Sequence, residues 1–228
     1  MPSLEWNRCW PHDLREFSRN HPQATYGIQW GDPGIRGWRY LLQRLLHPSL
    51  GPGPLHKVVD RYIRPYVGPS STVLEIGPGG GRWTRYFIGA RRIVCVDLNP
   101  EFFDILRTSF PHANLEFYHP RDCELDGIAD SSIDFVFSFG TFVHIEPEGI
   151  ARYLSHIRRV LRREGVAVIQ YAEKAKPAAR HPDFSDMTAE KMAAMAPMPI
   201  IIHDIELLKH SNIAVFKKDA GDALPPSA

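Results

Sequence analysis

The stretch that decides the fold is Val73-Leu-Glu-Ile-Gly-Pro-Gly-Gly-Gly-Arg82. It continues the apolar run Thr72–Ile76, which predicts a short buried strand, and its glycines predict a tight turn into a helix. Such a turn lets a ligand approach the backbone closely, near the helix N-terminus. On its own, the turn is shared by several classes of cofactor-binding protein.

Three details narrow the nature of the ligand. The glycine spacing is G-x-G-x-G, and Arg82 stands where the dinucleotide fingerprint G-x-G-x-x-G requires its third glycine. Glu75 places a carboxylate two residues before the first glycine, which suits a cationic ammonium better than a pyrophosphate. Asp97 ends the next predicted strand about twenty residues further on, where an acid can hydrogen-bond ribose hydroxyls. These residues predict a ribose-bearing ligand with a positive end and no phosphate.

Apolar strands alternate with amphipathic helices around this stretch. Continuous apolar strands separated by helices predict an α/β protein with a mostly parallel sheet covered on both faces. A final pair of strands predicts a closing antiparallel hairpin. The predicted strands are Thr72–Ile76, Arg92–Val96, Leu115–Tyr118, Ile133–Phe139, Val166–Tyr171, Pro199–Leu207 and Asn212–Lys217, and the predicted helices are Trp38–Leu46, Leu55–Val67, Arg82–Ile88, Glu101–Phe110, Pro147–Arg163 and Thr188–Ala196.

Composition divides the chain into three parts and excludes several functions. Residues 1–53 are rich in aromatics, Pro and Gly and predict an N-terminal cap, residues 54–218 carry the α/β pattern, and residues 219–228 predict a flexible tail. A net charge of +1 gives no electrostatic reason to expect nucleic acid or an anionic membrane as a partner. The sequence shows no secretory signal or transmembrane run, and three dispersed cysteines favour a reduced, cytoplasmic setting.

The motifs together resemble the class I S-adenosylmethionine-dependent methyltransferases. The resemblance rests on E-I-G-P-G-G-G-R at 75–82, V-D-L-N-P at 96–100 and R-V-L-R-R-E-G at 159–165. It implies a seven-stranded Rossmann-like sheet whose antiparallel last strand is inserted beside the fifth, and it implies S-adenosylmethionine as cofactor. The cofactor-binding residues it implies, besides Glu75 and Asp97, are Gly77, Gly79, Gly81, Arg82, Leu98, Asp122, Cys123 and Ser138.

His144 is the candidate general base. It lies in Ser138-Phe-Gly-Thr-Phe-Val-His-Ile-Glu146, just past the fourth predicted strand, where ligands bind in open α/β sheets. An imidazole with an ordinary pKa of about 6.5 can accept a proton at neutral pH. The alternative is that His144 only caps the loop or packs against the cofactor. Gly140 stands where many relatives have an acid, which disfavours a metal site.

The acceptor pocket is expected between the N-terminal cap and the segment after the fifth strand. Tyr26, Trp30, Trp38 and His181 are the candidate acceptor contacts, although each aromatic could simply pack. The leading expectation is O-methylation of a sugar or secondary-metabolite hydroxyl. An N-methyltransferase of a small amine, a non-catalytic scaffold that keeps the fold and a nicotinamide dehydrogenase are alternatives, and a homodimer is left open.

Overall fold

Seven strands form the single sheet of the computed structural model, which describes residues 10–20, 25–28, 31–46 and 54–219. The strands are β1 (Thr72–Ile76), β2 (Arg92–Val96), β3 (Leu115–Tyr118), β4 (Ile133–Ser138), β5 (Leu161–Ala172), β6 (Ile200–Asp204) and β7 (Ser211–Lys217). Their order across the sheet is β3-β2-β1-β4-β5-β7-β6. The predicted α/β fold with a seven-stranded sheet is confirmed.

The pairing directions follow the expected topology. Strand β1 lies between β2 and β4 and is parallel to both, and β5 continues the parallel set beyond β4. Strand β7 is antiparallel to β5 on one side and to β6 on the other. Only β7 therefore runs against the sheet, and the predicted antiparallel last strand beside the fifth is confirmed.

Helices are α1 (Trp10–Asn20), α2 (Gly37–Leu46), α3 (Leu55–Val58), α4 (Glu101–Ser109), α5 (Pro147–Val160) and α6 (Ala189–Met195). Helix α3 continues as one π-helical turn over Val59–Ile63. Two separate clusters of buried apolar side chains cover the two faces of the sheet. Strand β1 is buried at every position. Burial on both faces of the sheet explains why the strand is a continuous apolar run in the sequence.

The predicted helix Arg82–Ile88 is wrong. The described chain forms only a single 3₁₀ turn there, over Thr84–Tyr86. The hydroxyl of Thr84 donates a hydrogen bond of 2.7 Å to the buried Glu75, and the Trp83 and Phe87 rings pack against Phe137. These tertiary contacts hold the segment in turn geometry, although the four-residue spacing of Trp83 and Phe87 imitates a helical period.

The boundary between α5 and β5 also differs from the prediction. The helix ends at Val160 and the strand begins at once, so Arg162 and Arg163 lie in the strand and not in the last helical turn. Glu164 has a left-handed φ of 62°, and the register of β5 against β4 shifts over this stretch. Arg162 reaches Asp134, whose second oxygen accepts the Thr72 amide at 2.7 Å. Asp134 thus joins the starts of β1, β4 and β5.

Candidate functional site

A cavity of about 910 Å³ opens at the carboxyl ends of β1, β2, β4 and β5. Parallel strands present loops at this edge, and ligands of open α/β sheets bind there. The size suits a small-molecule cofactor and acceptor together. Its lining includes backbone of the turn 77–80, Asp97 and Leu98 after β2, the loop 139–145 after β4, Gln170 of β5, the loop residues His181, Asp183 and Phe184, and Trp10 and Tyr26 from the N-terminal segment.

The glycine turn forms the floor of the cavity next to β1. Gly77 and Gly79 have left-handed φ angles of 73° and 52°, a region that side chains with a Cβ disfavour. The Gly77 amide donates to the Val96 carbonyl at 2.7 Å, so the turn is tied to β2. A Cβ built on Gly77 would lie 1.8 Å from Oγ1 of Thr141, whereas one built on Gly79 would meet nothing within 4 Å. The turn is thus close-packed at Gly77 and open at Gly79.

Asp97 provides the acidic group of the cavity. Its Oδ1 accepts the Asn99 amide at 2.9 Å, and its Oδ2 accepts the Gly79 amide at 3.3 Å. Burial raises the pKa of this carboxyl to about 6, which its two backbone hydrogen bonds partly oppose. The predicted ribose-binding acid therefore lines the cavity and also fixes the end of β2 against the glycine turn.

Glu75 does not line the cavity. Its side chain lies under the turn, 1% exposed, and accepts the Thr84 hydroxyl. Burial, with a smaller contribution from the charge of Asp97, raises the pKa of Glu75 to about 8. The carboxyl is therefore mostly protonated at neutral pH in this structure, and its interaction with an ammonium, directly or through water, stays a prediction.

Arg82 joins the glycine turn to the N-terminal segment. Its Nη1 donates to the carbonyls of Gly27 at 3.0 Å and Gly31 at 3.4 Å. The guanidinium carbon also lies 5.4 Å from the Trp83 ring centroid and 5.7 Å from that of Phe139. Burial lowers the pKa of Arg82 to about 10, so the side chain stays charged at neutral pH. The charged side chain therefore holds Gly27 and Gly31, both of which line the cavity.

His144 lies on the opposite wall. Its Nδ1 is 2.8 Å from the Asp183 carbonyl oxygen, its ring stacks on Phe184 at 5.7 Å, and the Trp10 ring lies 5.7 Å away. A carbonyl can only accept a hydrogen bond, so Nδ1 carries the proton and Nε2 is the basic nitrogen of the neutral ring. Burial lowers the pKa of His144, although the Asp183 carbonyl opposes the shift. The ring is therefore neutral at pH 7.

A second imidazole lies beyond Phe184. The His210 ring centroid is 5.1 Å from that of Phe184, and burial lowers the pKa of His210 to about 4. Its Nε2 lies 3.4 Å from the amide nitrogen of Gln170, whose Oε1 accepts the Gly140 amide at 2.6 Å. Phe184 thus separates two neutral histidines along one wall of the cavity.

Several predicted site residues lie elsewhere. Gly81 packs against Phe110, Ser138 donates to the Ile76 carbonyl at 2.8 Å, Asp122 pairs with the exposed Arg152, and Cys123 is buried in the core. None of these four lines the cavity. Trp38 is 71% exposed on α2 and also lies outside the lining, and Trp30 falls outside the described residues. Gly77, Gly79, Arg82, Asp97, Leu98, His144, Tyr26 and His181 are brought together.

The sequence did not predict Trp10, Thr141, Gln170, Phe184 or His210 as site residues. Thr141 lies three residues before His144 and could have been found by extending the same loop. Gln170 is a polar residue inside an apolar strand, which is a signal of a partner or a site. Within the described part of the chain, no group of three or more His, Cys, Asp or Glu side chains is arranged to hold a metal ion.

Comparison with known proteins agrees with this geometry. Residues 73–165 match the model of a methyltransferase domain. An uncharacterized methyltransferase-like protein of Schizosaccharomyces pombe is 28% identical over 110 residues, which are 47% of this chain and 40% of that protein. The chain therefore spans less than half the length of this curated relative.

Solved structures share the fold at low identity. A Pyrococcus horikoshii protein superposes with a TM-score of 0.61 at 15% identity, covering 90% of this chain and 99% of the other. An S-adenosylmethionine-dependent methyltransferase of Mesorhizobium loti superposes with a TM-score of 0.59 at 14% identity, covering 69% and 95%. Fold and cavity together define a Rossmann-like domain with a ligand-sized cavity at the carboxyl edge of its sheet. The matched domain model and these neighbours support a class I S-adenosylmethionine-dependent methyltransferase domain over residues 73–165, and they imply S-adenosylmethionine as its cofactor.

Proposed function

We propose that this protein transfers a methyl group from S-adenosylmethionine to a hydroxyl of a small molecule, with His144 as general base. The observation that carries the proposal is that one cavity holds the glycine turn, Asp97 and the His144 imidazole. A cofactor on the turn and an acceptor beside His144 would share that space. Methyl transfer requires such an arrangement, because the nucleophile must come within roughly 3–3.5 Å of the methyl carbon.

The residues at the turn fit this cofactor. Asp97 is a buried acid able to accept hydrogen bonds from ribose hydroxyls, and the open space above Gly79 admits a ligand against the backbone. Arg82, which follows the turn, donates to the carbonyls of Gly27 and Gly31, so its guanidinium is directed to the protein and not to a phosphate. When bound, S-adenosylmethionine supplies an electrophilic methyl on a sulfonium. The turn and Asp97 would hold its nucleoside.

His144 is oriented to take a proton. Because Nδ1–H donates to the Asp183 carbonyl, the basic Nε2 is the atom that would receive the acceptor's proton. Nε2 would take the hydroxyl proton of the acceptor, and the bound cofactor would supply the methyl group that replaces it on the acceptor oxygen. The lowered pKa keeps the imidazole ready for this step at neutral pH.

Aromatic walls favour a small, flat acceptor. Trp10, Tyr26, Phe139 and Phe184 line the cavity, and the N-terminal segment closes over it through Arg82. Such surfaces bind sugar rings and aromatic rings by stacking. Tyr26 and His181 keep their proposed role as acceptor contacts. We also propose a cytoplasmic location, which the two free, buried thiols of Cys95 and Cys123 support.

The test compares His144→Ala and His144→Gln with the unchanged protein in methyl transfer to a metabolite panel. Loss of a general base lowers the rate by about 10²–10⁴. Calorimetry with S-adenosylhomocysteine should show cofactor affinity near normal in both variants. The acid limb of the rate–pH profile should lie below the ordinary histidine value of 6.5, because burial lowers the pKa of His144.

The same measurements separate the alternatives. If the His144 variants methylate the true acceptor at the full rate, His144 is not the general base. If, in addition, that acceptor is an amine, the result favours N-methylation. Failure of the unchanged protein to bind either S-adenosylmethionine or S-adenosylhomocysteine would favour a scaffold that keeps only the fold.

A further inference from the structure

Helix α2 presents an apolar stripe to the outside of the molecule. Trp38, Leu41, Leu42 and Leu45 are 71%, 66%, 44% and 78% exposed. Their spacing of three, four and seven residues from Trp38 places them on one helical face. Four large apolar side chains on ten residues are more than scattered surface hydrophobics and mark an interaction surface.

The other side of α2 contacts the body of the protein. The Tyr40 ring lies edge-on to His56 with centroids 5.0 Å apart, and Arg36, just before the helix, pairs with Asp60 at 2.5 Å. The helix is therefore held by its polar face, and the apolar stripe is directed away from the domain.

The charge around α2 is positive on balance. From Pro33 to Val59 the chain carries four cationic side chains, those of Arg36, Arg39, Arg44 and Lys57, and the two flanking acids, Asp60 and Asp32, pair with Arg36 and Arg85. Arg39 and Lys57 are exposed. The whole-chain charge of +1 hides this local excess, because acidic residues elsewhere balance it.

We propose that the stripe of α2 binds the surface of an anionic lipid bilayer. A helix with leucines and a tryptophan on one face and arginines beside them lies in the headgroup region, with its apolar face inserted and its cations against anionic lipids. Ten residues span only about 15 Å, so α2 lies along the surface. In the described ranges, no helix is long and apolar enough to cross a membrane.

Charge selects the bilayer over a second copy of this chain. Two copies meeting face to face through the stripe would bring their basic segments together, and like charges at an interface oppose association. Anionic headgroups would instead neutralise Arg39, which follows Trp38 on α2, while the leucines leave water. The inference is independent of the proposed methyl transfer.

The test is co-sedimentation of the full chain with vesicles of phosphatidylcholine alone and of phosphatidylcholine mixed equally with phosphatidylglycerol. Binding is expected to the anionic vesicles and should weaken as salt rises, because salt screens the headgroup attraction. Leu41→Glu combined with Leu45→Glu should abolish binding, and Arg39→Gln should weaken it about fivefold.

Ile205→Glu is the matched control, since Ile205 is also an exposed apolar residue, 52% exposed, but lies between Asp204 and Glu206. It should bind as the unchanged protein does. All the replaced side chains are exposed, and thermal melting confirms that each variant folds.

Two results would overturn the proposal. One is equal sedimentation with and without vesicles. The other is a concentration-dependent dimer in light scattering that the double variant dissolves, which would assign the stripe to a second copy.

Discussion

Replacing Glu75 by Gln tests the energetic cost of the carboxyl that lies under the glycine turn. Glu75 is 1% exposed, and its burial raises the pKa from 4.5 to about 8. At pH 7 the group is therefore protonated in the folded protein and ionised in the unfolded chain. Folding must take up a proton there, and that uptake becomes less favourable as the pH rises.

The magnitude follows from the two pKa values. A raised folded-state pKa contributes stability that is fully present below the unfolded value of 4.5 and is lost as the pH rises toward 8. Each pH unit in that window costs about 1.4 kcal/mol, so the free energy of unfolding falls by about 3 kcal/mol between pH 5 and pH 7. Glutamine still accepts the Thr84 hydroxyl but has no proton to exchange. Its pH dependence should be flatter by that amount.

Urea unfolding followed by tryptophan fluorescence between about pH 5 and pH 8 measures this difference. Glu206→Gln serves as the control, because Glu206 is exposed in the loop between β6 and β7 and should leave the slope unchanged. Burial of Asp97 adds its own pH dependence, with a folded-state pKa of about 6, but that group is present in both proteins. If the free energy of unfolding depends on pH equally in the unchanged protein and in Glu75→Gln, the reasoning is refuted.

Three further predictions concern the cavity. Gly77→Ala and Gly79→Ala both place an alanine in the left-handed region, at a cost of about 1 kcal/mol, but only Gly77→Ala brings a Cβ to 1.8 Å from Thr141 Oγ1. Calorimetry should therefore show an affinity for S-adenosylhomocysteine about tenfold lower for Gly77→Ala than for Gly79→Ala. Equal affinities would contradict the packing argument. Arg82→Lys loses the fork that reaches the Gly27 and Gly31 carbonyls, so amide exchange over 25–28 should accelerate in mass spectrometry, and unchanged protection would show that other contacts hold the segment. Trp10→Ala removes a ring 5.7 Å from His144 and should lower kcat/KM about tenfold with cofactor affinity preserved; a loss confined to cofactor binding would place Trp10 with the nucleoside instead.

The strands were the part of the fold that the sequence predicted best. Strands β1, β2 and β3 begin and end at the predicted residues. For β1 and β2 the reason is that buried strands appear in the sequence as apolar runs with polar ends. The prediction of a helix at 82–88 failed because the buried Thr84–Glu75 hydrogen bond determines the geometry of that segment, and this contact joins residues nine positions apart. The extent of β5 was missed because Arg162 and Arg163 suit a helix end as well as a strand.

For the site, the structure brings predicted residues together where the topology alone determines their positions. Gly77, Asp97 and His144 each follow a parallel strand, so they meet at one edge of the sheet whatever the details of packing. Trp10 and His210 come from opposite ends of the chain, and their approach depends on how α1 and the β6–β7 loop pack. No local sequence pattern predicts such long-range contacts. Glu75 lies at the end of β1, where the motif predicts it, but its burial under the turn depends on neighbours that the motif does not show.

The position of β7 has a consequence for how the protein is made. In the described sheet, β7 (Ser211–Lys217) lies between β5 and β6 and makes seven residue pairs with β5. Neither β5 on that side nor β6 can pair within the sheet until β7 has been synthesised. Until synthesis has passed Lys217, the nascent chain carries an open apolar strand edge of the kind that aggregates. The wall containing Gln170 and His210 closes in the same event. A stop codon before residue 211 would therefore leave the sheet without β7 and the cavity without one complete wall. We expect truncation before that point to prevent folding of the domain.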